Sequence, residues 1–140
     1  MLLWALLAGA LVTLSLAPFN IWPAGILSCV MYAYLLSTCS ARQGLWRGWL
    51  YGLGMFGSGV SWVYVSIHVH GHASVPLAVG LTALFCATLA LFHALFAWSY
   101  VQFVRPLPGG MLVGFPALWV LFEWLRDWLL TGFPWLYLGY

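Results

Sequence analysis

The stretch PLAVGLTALFCATLALFHALFAWSYVQFV, running from Pro76 to Val104, decides the fold. It carries no charged side chain, and His93 and Gln102 are its most polar groups. At about 1.5 Å per residue a helix of this length exceeds the roughly 30 Å hydrocarbon core of a bilayer, so it predicts a membrane span that tilts or protrudes. Pro76 sits in the first turn, where a helix tolerates proline, and Arg105-Pro106 closes the helix. His93, halfway along, reads as a hydrogen-bonding group between helices rather than a proton carrier.

Four further apolar runs flank this one, Leu2 to Ala17, Ala24 to Thr38, Leu45 to Ile67 and Met111 to Leu130, each bounded by Pro, Gly, Arg or His. The expected fold is all-α. It is a polytopic transmembrane bundle of about five helices, near 2–17, 24–38, 45–67, 76–104 and 111–130, forming one N-terminal transmembrane domain over 1–140. The first two runs are short. They predict a hairpin about Pro18-Phe19-Asn20-Ile21-Trp22-Pro23, whose prolines break the helix and whose aromatic rings suit a headgroup interface.

Composition agrees with this reading, since 65% of the 140 residues are hydrophobic and only 4% are charged. Mean hydropathy is +1.02. Four arginines, one glutamate and one aspartate are too few to cover a water-facing exterior, so lipid is the expected solvent. The net charge of +2 is small and scattered, and without lysine it excludes a nucleic-acid partner. Cys29, Cys39 and Cys86 lie in apolar runs without CxxC spacing and read as small buried side chains, so neither a metal nor a disulfide framework is expected. The N-terminus lacks the basic region of a cleaved signal.

Orientation follows from the loops. Arg42 and Arg47 flank the second connection and Arg105 the fourth, whereas the third, His68 to Ser74, holds neither Arg nor Lys. The basic connections are therefore expected to face the cytoplasm, leaving 131–140 on the outer side.

Gly44, Gly48 and Gly52, followed by Gly54, Gly57 and Gly59, give small-xxx-small spacing on the third run and predict close helix packing. Gly52 to Gly57 formally matches GxGxxG, but a dinucleotide site needs a preceding strand, which an apolar helix does not supply.

Glu123, Arg126 and Asp127 share a helix face and are expected to pair internally, turned inward, or to line a polar substrate cavity. His68, His70 and His72 alternate, so an extended loop would point them one way; an unliganded loop is the preferred reading. The segment Thr131-Gly132-Phe133-Pro134-Trp135 to Tyr140 stays aromatic and apolar while Gly and Pro interrupt the helix. Irregular backbone at membrane depth needs protein or a cavity to cover it, which makes Phe133, Pro134 and Trp135 candidates for a lipid-entry groove. No nucleophile with base and oxyanion donors is complete. A small transporter or channel-like bundle, with the histidine loop and charged cluster on its path, is the alternative reading, although no polar trail or inverted repeat is visible.

The order Ala17-Pro18-Phe19-Asn20-Ile21-Trp22-Pro23, then Gly57 to Ile67 with WVYVSI, then Pro116-Ala117-Leu118-Trp119 to Glu123-Trp124-Leu125-Arg126, then TGFPW to Gly139-Tyr140, resembles the membrane region of the apolipoprotein N-acyltransferase family. The resemblance implies a multi-pass enzyme of the bacterial inner membrane, with 131–140 on the periplasmic side. Such an enzyme moves an acyl chain from a membrane phospholipid to the free amine of the diacylglyceryl-cysteine at an apolipoprotein N-terminus, using no cofactor. It also implies a periplasmic nitrilase-like domain, beginning beyond position 140, that supplies a Glu-Lys-Cys triad. None of Cys29, Cys39, Cys86 or Glu123 matches that triad, and there is no lysine, so no catalytic residue is assigned here. The chain is expected to be a fragment, inactive alone. Its expected share of the site is substrate binding by Phe133, Pro134 and Trp135, with Trp135 foremost, beside Glu123 and Arg126.

Overall fold

Ser40 starts the central helix. Its hydroxyl accepts from the Gln43 N–H at 3.3 Å while the Gln43 side chain accepts from the Ser40 N–H at 3.2 Å, a reciprocal capping box. The helix therefore begins before the apolar run at Leu45. The computed structural model describes residues 1–129 and 132–138, and every regular element among them is helical. These are α1 (Leu2–Ser15), α2 (Trp22–Ser37), α3 (Ala41–Gly59), α4 (Trp62–His70), α5 (Val75–Val104) and α6 (Phe115–Trp128), the last led in by a wide π-type turn over Gly110–Gly114. Leu130, the expected end of the last helix, lies outside the described residues, as do Thr131, Gly139 and Tyr140.

The run expected to form one helix over 45–67 is divided. Ser58 turns its hydroxyl back onto the Gly54 and Met55 carbonyls, Val60 leaves helical geometry at φ −118° and ψ 23°, and α4 resumes at 55° to α3. Glycines at 57 and 59 weaken the helix there, and a serine that competes for backbone carbonyls favours a bend. α5 alone is long and apolar enough to cross a bilayer as a continuous helix among the described residues. α3 and α4 meet that test together as a bent pair, and α1 and α2 are shorter apolar helices.

α3 packs most extensively against α5 and α1, and glycines let both neighbours approach its backbone. A Cβ on Gly54 would lie 2.0 Å from the Leu6 carbonyl oxygen, and one on Gly9 of α1 would lie 1.9 Å from that of Tyr51. Toward α5, a Cβ on Gly48 would fall 2.3 Å from the His93 carbonyl oxygen and one on Gly52 would fall 2.7 Å from the Ala90 Cα. The expected close packing is present, on two faces of α3.

Polar side chains link the helices where the backbones meet. Ser28 on α2 donates to the Ala8 carbonyl at 2.6 Å and lies 2.7 Å from the Tyr51 hydroxyl, while Tyr32 donates to the His93 carbonyl at 3.1 Å. The Tyr32 and Tyr51 rings stack at 3.8 Å in the buried centre. Such bonds fix which faces of the helices meet.

At one end of the bundle the Arg105 guanidinium, at the foot of α5, donates to the carbonyls of Leu36, Ser37 and Cys39 at 2.8 to 3.2 Å. Arg47 donates to the Leu35 carbonyl. The last carbonyls of α2 have no partners within their own helix, and two cations supply them. Arg105→Gln is expected to lose about 2 kcal/mol, the scale of a charged hydrogen-bond set, and thermal unfolding in detergent would read it as a lower Tm. Outside the core the surface is apolar: Leu112 is 84% exposed, and Trp22, Val113 and Trp128 are also largely uncovered.

Candidate functional site

α6 turns Phe115, Trp119 and Arg126 onto one buried face, the spacing of helix positions that share a side. Arg126 is only 2% exposed. Its guanidinium lies over two rings, 5.1 Å from the centre of Phe56 on α3 and 4.8 Å from that of Tyr137. The cation therefore meets π-electron density from both rings. Among the described residues its Nε, Nη1 and Nη2 find no hydrogen-bond partner, and neither do Glu123 Oε1 or Trp119 Nε1, although all of these atoms are buried.

The internal ion pair expected of Glu123, Arg126 and Asp127 is thus not a direct one. Asp127 points to the exposed side of α6, and Arg126 reaches across to Phe56 and Tyr137 instead of lying along its own helix toward Glu123. Glu123 and Arg126 do face the same small cavity, of about 10 Å³, with Trp119 and His93.

Gly132 makes the next feature possible. At φ 79° it reverses the chain after α6, its N–H donating to the Leu129 carbonyl at 3.0 Å, and a Cβ there would stand 2.2 Å from the Asp127 carbonyl oxygen. Residues 132–138 then fold back over the end of the bundle. Leu136, itself in the left-handed region at φ 62°, is buried against Gly59, where a Cβ would meet its side chain at 2.5 Å. The Tyr137 hydroxyl donates to the Glu123 carbonyl at 3.2 Å. Burial raises the Tyr137 phenol above its ordinary value, and the charge of Arg126 opposes that rise.

The returning segment closes an apolar groove of about 490 Å³ against α5. Leu81, Leu84, Phe85, Thr88, Leu89 and Phe92 form one wall, and Arg126, Leu129, Gly132 and Phe133 form the other. Phe133 meets Phe85 edge to face at 5.1 Å. Of the five residues expected to bind substrate, the structure brings Phe133 and Arg126 to this groove. Glu123 faces the small cavity behind it. Pro134 and Trp135 line a separate cleft of about 520 Å³ with Leu16, Gly59 and Trp62, and Trp135 packs on Trp62 at 5.7 Å. Thr131 lies outside the described residues.

The histidines do not gather. α4 continues through His70 as a widened helical turn, so His68 and His70 do not share a direction as they would in an extended loop, and His72 sits at φ 51°. His68 stacks on Tyr64 at 5.4 Å, with its Nδ1 at 2.8 Å from the Ala73 carbonyl oxygen. Among the described residues no three His, Cys, Asp or Glu side chains come together.

Sequence reasoning missed the α5 wall of the groove. Positions 81, 84, 85, 88, 89 and 92 do fall on one helix face, but in a run that is apolar on every side this spacing does not stand out. The Trp119 indole carries no local signal either, since nothing in its spacing marks it as facing a charged neighbour.

The model of the apolipoprotein N-acyltransferase N-terminal domain matches residues 8–140. Proteins named apolipoprotein N-acyltransferase are similar over nearly the whole chain: 53% identical in Pseudomonas paraeruginosa over 99% of this chain, and 51% in Pseudomonas aeruginosa over the same share. The Coxiella burnetii protein of that name is 49% identical over 97% of the chain. The chain spans only 27 to 28% of the length of these relatives.

Proposed function

From the membership of this chain in the apolipoprotein N-acyltransferase family, as the family's N-terminal domain, we propose that it forms the membrane portion of a phospholipid:apolipoprotein N-acyltransferase and that its groove receives an acyl chain. The observation that carries this reading is the groove itself, about 490 Å³, apolar on the α5 side and flanked by Phe133, with buried Arg126 in the opposite wall. An apolar channel of this kind suits a hydrocarbon chain, and a few polar groups fix the orientation of what binds.

The domain then spans residues 1–140 and sits in the bacterial inner membrane as a polytopic bundle of about five crossings, in which α3 and α4 together make one bent span. α1 and α2 would cross where the bilayer is thin. Arg42, Arg47 and Arg105 face the cytoplasm and 131–140 faces the periplasm. Support comes from the placement of the second and fourth connections at one end, where Arg105 grips the C-terminus of α2. The exposed leucines, valines and tryptophans are then the lipid-facing surface. The donor is a membrane phospholipid and the acceptor an apolipoprotein N-terminus. Phe133 and Arg126 line the chain's seat, Glu123 backs it, and Pro134 and Trp135 form the rim beside it.

The full-length acyltransferase carrying Phe133→Ala is expected to N-acylate a diacylglyceryl-cysteine peptide about tenfold more slowly, with altered preference among donor chain lengths; an effect of that size corresponds to about 1.4 kcal/mol. Trp135→Ala, measured beside it by mass spectrometry of the product, is expected to change rate with a smaller effect on chain preference. Unchanged rate and unchanged selectivity in Phe133→Ala would reject the groove as the acyl seat.

A further inference from the structure

The small cavity behind the groove has walls that apolar packing does not explain. Trp119, Glu123, Arg126 and His93 all line it, and Trp119 Nε1, Glu123 Oε1 and the guanidinium nitrogens of Arg126 are buried without a hydrogen-bond partner among the described residues. Buried polar atoms are nearly always paired, so several orphans around one cavity point to something that pairs them.

Size and chemistry narrow the choice. The cavity holds about 10 Å³ of space, close to one water-sized sphere and far too little for a phosphate or an acyl carbonyl with its substituents. The walls offer both senses of hydrogen bond: the indole and guanidinium donate, and the carboxylate accepts. A buried water makes two to four such bonds.

We propose that this cavity is a built water site, in which an ordered water accepts from Trp119 Nε1–H and from an Arg126 N–H and donates to Glu123 Oε1. The water joins two buried charges that do not touch directly, so Glu123 and Arg126 act as a solvent-bridged pair. It also fixes the rotation of α6. Arg126 belongs to both cavities, wet on one side and in the wall of the dry groove on the other. The inference stands independently of whether the groove holds an acyl chain.

Solid-state NMR of the chain in lipid, with magnetisation transferred from water to tryptophan indole N–H groups, tests this directly. The Trp119 indole, identified by the signal lost in Trp119→Phe, is expected to receive transfer at short mixing times. Absence of transfer to that indole would overturn the proposal. Should Trp119→Phe fail to fold, X-ray hydroxyl-radical footprinting of the unaltered protein replaces it, because radiolysis labels side chains beside bound water. Labelling of Trp119 and Phe122 is then expected to exceed that of fully buried Tyr32 several-fold after correction for intrinsic reactivity. Labelling no greater than that of Tyr32 would overturn the proposal equally.

Discussion

A methyl group placed on Gly54 is expected to destabilise the protein by about 3 kcal/mol, read in detergent as a melting temperature lower by roughly 10 °C. The new Cβ would stand 2.0 Å from the Leu6 carbonyl oxygen. That oxygen belongs to the backbone of α1 and cannot rotate aside, so α1 and α3 must separate along their whole seam. Gly48→Ala should behave similarly through the His93 carbonyl, 2.3 Å away on the α5 side. Gly57→Ala is the control: nothing lies within 4 Å, and the helix propensity of alanine favours it by up to about 1 kcal/mol. Equal melting temperatures for Gly54→Ala and Gly57→Ala would mean that the helices do not meet as closely as described.

Arg126→Met is expected to be nearly as damaging, at about 3 kcal/mol or more, because it leaves the Glu123 carboxylate in a buried cavity with no compensating charge. Methionine fills most of the volume, so the loss reports charge rather than packing. The pair Glu123→Gln and Arg126→Met together should recover part of it, since a neutral amide beside a thioether strands no ion. Chemical or thermal unfolding of the two single variants and the double variant measures the coupling. Strict additivity would show that Glu123 and Arg126 do not sense each other.

Much of the fold was legible because the apolar runs are long and the breakers between them are unambiguous. The proline-flanked hairpin, the uninterrupted α5 and the glycine seam all follow from residue type and spacing. The break between α3 and α4 was not legible: WVYVSI continues an apolar pattern, and the bend depends on Ser58 bonding back to Gly54 and Met55 and on Leu136 seated against Gly59. Leu136 comes from far along the chain, which no local pattern reveals. The same holds for Arg126. Its inward direction could be inferred from the expense of a charge in an apolar setting, whereas its partners, the Phe56 and Tyr137 rings, are brought to it only by tertiary packing. Phe133 and Trp135, two residues apart in sequence, read as one group. The turn at Gly132 and the left-handed Leu136 place them on different cavities.

The grip of Arg105 on three carbonyls of α2 and its succeeding loop makes the two ends of the molecule mechanically unequal. At that end, separating the helices strips hydrogen bonds from carbonyls that have no partner within their own helix. At the groove Phe133 meets α5 by ring contact with Phe85, while the hydrogen bonds of the returning segment, from the Tyr137 hydroxyl to Glu123 and from the Phe133 N–H to Arg126, run to α6. Strapped to one helix and leaning on the other, the returning segment makes its α5 side the weaker seam of the groove.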